Sequence, residues 1–213
     1  MQFVPDASIL IAYSLAGFVL FITPGPDMNL FLAKTIAGGR RAGLAAMTGS
    51  SLGCIVHTLL AAFGLSALIT ASPSMFLALK IIGALYLLWL AIDAVRNGSS
   101  LNVKPGAAGG ARLWSDLALG FTVNLSNPKV VLFFVTFLPQ FVDAQDPHAA
   151  GKLLFLGIYF VVLSYPLAVL LILAAERLVG SLKRRPRLLR AIDWLFAGVF
   201  SASAVRTCTT QGR

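Results

Sequence analysis

Two stretches decide how this chain reads: GFVLFITPGPDMNLF at Gly17–Phe31 and GFTVNLSNPKVVLFF at Gly120–Phe134. Both are apolar and both are interrupted by proline. Thr23-Pro24-Gly25-Pro26 cannot remain regular helix, because each proline lacks an amide proton and disfavours helical geometry in the residue before it. In the second stretch Asn127 reads as an N-cap, with Pro128 at the first helical position. A half-helix is therefore expected to restart inside each span. Its first amides are free and its dipole turns a positive end outward, which suits an anion such as a carboxylate. Backbone left bare inside a bilayer must be buried in protein or line a wet cavity. Setting Pro26 on Pro128 places Asp27 on Lys129 and Leu30-Phe31 on Leu132-Phe133, and the upstream Gly-Phe pairs match with one residue of slack.

The rest of the chain agrees with a membrane setting. Of its 213 residues 58% are hydrophobic and 12% charged, with a mean hydropathy of +0.85. Soluble domains run at roughly 45–50% apolar and about 25% charged, so a soluble domain, a disordered chain and a disulfide scaffold are excluded. Six segments approach the roughly 20 apolar residues that cross a bilayer: Ala7–Thr35, Ala42–Thr70, Ser74–Val95, Leu113–Leu138, Leu153–Ala175 and Leu189–Val205. The sixth is shortest and carries Asp193, Ser201 and Ser203. A Gly/Ser/Pro-rich stretch, NGSSLNVKPGAAGGAR, has linker composition and divides the chain into residues 7–95 and 113–206. Three spans per half make the halves inverted-topology repeats within one domain, the plan of many secondary transporters. The expected fold is all-α and integral to the membrane, with the first helix of each half broken.

Twelve of the 17 basic residues fall in the first, third and fifth connections and four (Lys80, Lys152, Arg206 and Arg213) on the opposite side. The positive-inside rule then puts both termini outside the cytoplasm. The net charge of +9 and the run KRRPR mark a loop held at anionic headgroups, and no nucleic-acid partner is expected. The N-terminus has no positive n-region and carries Asp6, so it reads as a retained helix and not as a cleaved signal peptide. Cys54 and Cys208 make no C-x-x-C and no Cys/His cluster, so neither structural zinc nor paired-thiol chemistry has its usual spacing; Cys54 reads as a small buried apolar residue.

Asp27 and Lys129 stand at the two restarts, well inside their spans. Intramembrane ionisable groups are rare and mark pathways or proton relays. An acid in a first helical turn complements the dipole, but a cation there opposes it, so Lys129 needs an anion. That anion is either Asp27, in a structural pair, or a bound substrate. His57, midway along the second span, is either hydrogen-bonded to a neighbouring helix or a member of a proton path. Gly49 and Gly53 form G-x-x-x-G, which permits close helix contact within a protomer or between the protomers of a homo-oligomer. Tyr165-Pro166 is expected to kink the fifth span.

At these residues the chain resembles the lysine-exporter (LysE/RhtB) superfamily of bacterial amino-acid exporters. The matching pieces are TPGPDM (Thr23–Met28), GGRRAGLAA (Gly38–Ala46), the Gly49/Gly53/His57 pattern, GALYLLWLA (Gly83–Ala91), NLSNPKVVLFF (Asn124–Phe134) and FLPQFVD (Phe137–Asp143). The resemblance implies an inner-membrane protein, not an enzyme, that exports amino acids or close derivatives on the proton gradient without a cofactor or resident metal. It carries Asp27 and Asn127-Pro128-Lys129 over as functional positions. Together with the reading of the residues, it makes Gly25, Asp27, Asn127 and Lys129 candidates for substrate binding, Asp27 and His57 candidates for proton coupling, and Pro24, Pro26 and Pro128 the helix breaks. An electron carrier built on two inverted halves would need a cysteine beside each break, and here the breaks carry Asp27 and Lys129. A serine hydrolase using Ser50 or Ser51 with His57 lacks a G-x-S-x-G turn, and an ion site would need more than the single carboxylate of Asp27.

Overall fold

Proline and glycine set the helix boundaries. In the computed structural model residues 3–97, 112–143, 146–175, 177 and 186–210 are described, and every regular element among them is helical. Helix α1 (Ala7–Ile22) stops at Thr23, whose backbone is extended and whose amide and hydroxyl both bond the Val19 carbonyl. Helix α2 (Pro26–Gly38) restarts at Pro26 with its axis turned by 53°. It ends at Gly39, whose φ of +80° favours glycine. From Arg40 the chain is helical again: α3 (Arg40–Leu59) passes through a π-helical stretch, Leu60–Leu65, into α4 (Ser66–Ala71), and α5 (Pro73–Asn97) follows.

The second half opens in the same way. Helix α6 (Leu113–Leu125) is followed by α7 (Pro128–Leu132), which continues as a π-helical stretch, Phe133–Phe137, and a 3₁₀ turn, Leu138–Phe141. The bend at this break is also 53°. Helices α8 (Ala149–Leu173) and α9 (Pro186–Thr210) complete the fold. Helix α8 continues through Pro166 as one helical segment, with the Ser164 hydroxyl bonded to the Phe160 carbonyl. Most of the expected linker and Lys183, Arg184 and Arg185 of the basic run lie outside the described residues.

Among the described residues, Arg40–Leu65 and Ala149–Leu173 are each long and apolar enough to cross a membrane, and each bent pair taken as one span adds another. Exposed Phe63, Trp89, Trp114, Val162 and Trp194 form an apolar exterior suited to lipid. Inside, Tyr13, Phe133, Phe137, Phe160 and Phe200 are buried together where α1, α8 and α9 meet the segment after the second break.

A close helix approach joins the halves. At Gly49 on α3 an added Cβ would lie 1.9 Å from the Leu117 carbonyl oxygen, and at Gly120 on α6 it would lie 1.9 Å from that of Ala46. Gly53 faces the Asn124 side chain. Both glycines of the G-x-x-x-G pair are thus used against α6 of the same chain, as small residues let backbones meet in membranes. An ion pair of 2.6 Å, Lys34 on α2 to buried Asp116 on α6, links the same halves.

Candidate functional site

The two restarts face one another. Gly25 caps α2 without a side-chain bond, Pro26 is its first residue, and Asp27 its second. At the other break the Asn127 side chain accepts from the Lys129 amide at 3.1 Å, with Pro128 between them. That is the N-cap geometry, which satisfies one of the free amides of the first turn. The other end of the same side chain donates to Asp27 Oδ2 at 2.5 Å. Two further donors reach the carboxylate: Ser50 from α3 at 2.9 Å and Asn124 from α6 at 3.3 Å to either oxygen. An ionised carboxylate only accepts, with room for about four such bonds, and here its donors Ser50, Asn124 and Asn127 are neutral and come from both halves.

Lys129 answers in the opposite direction. Its ammonium donates to the Thr23 carbonyl at 2.6 Å, the oxygen exposed where α1 ends. Each break is therefore completed by the other: Asn127 holds Asp27, and Lys129 covers the end of α1. Buried Asp193 on α9 and Asp27 both act electrostatically on the Lys129 ammonium.

Asn124 is the hub of the arrangement. It is buried, and beyond Asp27 its amide donates to Ser50 Oγ at 3.0 Å. Its side-chain oxygen accepts from the Cys54 thiol at 3.7 Å, and its backbone carbonyl lies 3.4 Å from His57 Nε2. A cavity of about 80 Å³ opens on this network, with Asp27, Ser50, Asn124, Asn127 and Lys129 in its wall. Met28, Phe31, Met47 and Ala168 also line it.

Comparison with known proteins places the chain in a family. The family model described as LysE type translocator matches residues 18–211. The chain belongs to that family. It is a membrane translocator of a family that is not enzymatic. A leucine efflux protein of Klebsiella pneumoniae is 30% identical over 208 residues, covering 94% of this chain and 95% of the relative. Another of that name, from Enterobacter sp., is 33% identical over 196 residues, covering 91% and 92%. An uncharacterized membrane protein of Pseudomonas aeruginosa is 30% identical over 201 residues, covering 92% and 93%. No solved structure matches the chain.

Of the residues singled out from the sequence, Gly25, Asp27, Asn127 and Lys129 all line the cavity. Pro24, Pro26 and Pro128 stand at the two breaks. His57 is not among the described lining residues; it is buried behind Asn124 and stacked on Phe134 at 5.6 Å between ring centroids. Sequence reasoning passed over Ser50 as a carboxylate donor, gave Asn124 no role and did not pair Lys34 with Asp116. An asparagine well inside an apolar span, three residues before the capping asparagine, was the available signal for Asn124.

Proposed function

We propose that this translocator exports amino acids across the bacterial inner membrane by proton antiport, working as two inverted three-helix repeats. One observation carries the reading: a carboxylate at one helix restart and an ammonium at the other share a cavity. The two equal bends support the repeat reading. The two relatives named leucine efflux proteins support an amino acid as cargo and outward movement as its direction. The orientation that fits the distribution of basic residues has both termini outside the cytoplasm.

In this reading the substrate carboxylate lies against Lys129 and the uncapped helix N-terminus at Gly25, and its ammonium lies against Asp27. Coupling follows from hydrogen-bond capacity. Ionised, Asp27 accepts from Ser50, Asn124 and Asn127; protonated, it becomes a donor and one amide must let go. Proton binding then loosens the link between the halves and removes the counter-charge of the substrate ammonium together. His57, behind Asn124, is placed to sense that change or to pass the proton.

The test is uptake into inside-out proteoliposomes with a panel of labelled amino acids, with and without an imposed pH gradient. Gradient-dependent accumulation of at least one amino acid is expected, and accumulation of none overturns the proposal.

A further inference from the structure

The cavity has a direction as well as a charge pattern. Three of the helices that line it, α2, α3 and α8, change from polar to apolar over one turn. On α2 the change runs from Asp27 to Phe31, on α3 from Ser50 to Met47, and on α8 from Ser164 to Ala168. Residues three or four apart share a helix face, and at 1.5 Å rise per residue each step covers roughly 4.5–6 Å along its axis. Phe31, Met47 and Ala168 belong with Ala46 and Ile172 to one buried apolar cluster. The three steps therefore end in one apolar wall, continuous with packed core.

Charge sharpens the point. Asp27 and Lys129 are the only charged groups among the described residues lining the cavity. A zwitterionic head uses both. A third charge, on the side chain of lysine, arginine or glutamate, would meet this wall with no partner, and burying an unpaired charge is strongly unfavourable.

We infer that the Phe31–Met47–Ala168 end of the cavity is the side-chain subsite, and that it restricts the cargo to amino acids with uncharged, apolar side chains, with Ala168 setting the permitted length. This rests on the exporter reading above and specifies its substrate class. Ala168 is the smallest of the three, so a larger residue there fills the subsite, while truncation of Met47 extends it.

Proteoliposomes carrying wild-type protein, Ala168→Leu or Met47→Ala, each checked for folding by thermal unfolding, are assayed with leucine, methionine, alanine and lysine. Wild type should move leucine or methionine roughly tenfold or more faster than lysine. One methylene in an apolar pocket discriminates by about 10- to 200-fold, so Ala168→Leu should lower the leucine-to-alanine rate ratio by roughly tenfold. Met47→Ala should raise the rate for methionine relative to alanine, and it supplies the answer if Ala168→Leu does not fold. Lysine moving as fast as leucine through wild type, or leucine and methionine ratios within twofold of wild type in the folded variants, overturns the subsite while leaving the exporter reading standing. A wild-type protein that moves none of the four takes the exporter reading down as well.

Discussion

The first and second breaks bend the chain by the same 53° and put proline at the same helical position, yet they are finished by different means. Gly25 offers its helix no capping side chain, and the acid of that first turn, Asp27, lines the cavity. Asn127 caps α7 with its own oxygen and spends its nitrogen on Asp27. The second break thus has a side-chain cap of its own and the first does not. The difference marks the first break as the side where an anion meets no competing cap oxygen. It marks the second as the side that holds the carboxylate and cation in register.

Removing the charge at the first break tests this most severely. Asp27→Asn converts an acceptor facing three donors into a group that must compete with them. Gradient-driven transport should fall by roughly a hundredfold, the scale of losing one hydrogen bond to a charged group, while the protein still unfolds cooperatively. Wild-type rates in Asp27→Asn proteoliposomes would mean that the first break has no part in coupling.

The next effect falls on stability. Lys34 and Asp116 tie the helix after the first break to the helix before the second, with the Asp116 side chain 5% exposed and that of Lys34 31%. Lys34→Ala strands a buried carboxylate. A fully buried pair broken in this way costs about 3–5 kcal/mol, and the half-exposed lysine brings the expectation down to about 2 kcal/mol. Adding Asp116→Asn should recover most of the loss in thermal unfolding. A double variant no more stable than Lys34→Ala would show that the pair does not join the halves energetically.

The two caps can then be compared directly. Asn127→Ala removes the capping oxygen, worth about 1 kcal/mol, and one donor to Asp27, so both stability and transport should drop. Gly25→Ala should be mild, within about 0.5 kcal/mol. The backbone there is extended at φ −166°, which alanine adopts, and the new Cβ would meet Lys129 Nζ at 3.5 Å, an ordinary contact. If Gly25→Ala proved the more damaging in unfolding experiments, the assignment of capping work to the second break would be reversed.

Much of this was legible in the sequence because it is written in local chemistry. Proline and asparagine act on neighbouring backbone, so both restarts, the Asn127 cap and the positions of Asp27 and Lys129 could be read from a few residues each. The G-x-x-x-G pair announced a close contact but not its partner, since Gly49 meets Leu117 and Gly53 meets Asn124 only after folding. Ser50, Asn124 and the Lys34–Asp116 pair were hidden for the same reason. Their partners lie 23 residues away or more, and no local rule selects them. The π-helical stretches at Leu60–Leu65 and Phe133–Phe137 carry no proline of their own, and the composition that predicts helix there does not distinguish its winding. His57 was readable as a buried membrane histidine, but its position behind Asn124 depends on the approach of α6.

The smallest effect separates the cross-half ion pair from a local one. Beyond the second break Asp146 bonds the Lys152 ammonium six residues on and accepts from the His148 amide at 2.8 Å. The Lys152 bond, with the His148 amide second, holds the Asp146 carboxyl below its ordinary value. A carboxyl whose folded pKa is depressed contributes stability above the pH where the unfolded group titrates, about 4, and loses it as pH falls through the lower folded value. Both partners of this ion pair keep contact with solvent, so the effect is small and salt-sensitive. Asp146→Asn should therefore unfold at a slightly lower temperature than wild type at pH 7 and at pH 5, and the gap should close below about pH 4. A gap that persisted unchanged at pH 3 would have to come from the turn that Asp146 makes and not from its charge. The loop after the second break would then be held by backbone geometry, unlike α2 and α6, which Lys34 and Asp116 join by charge.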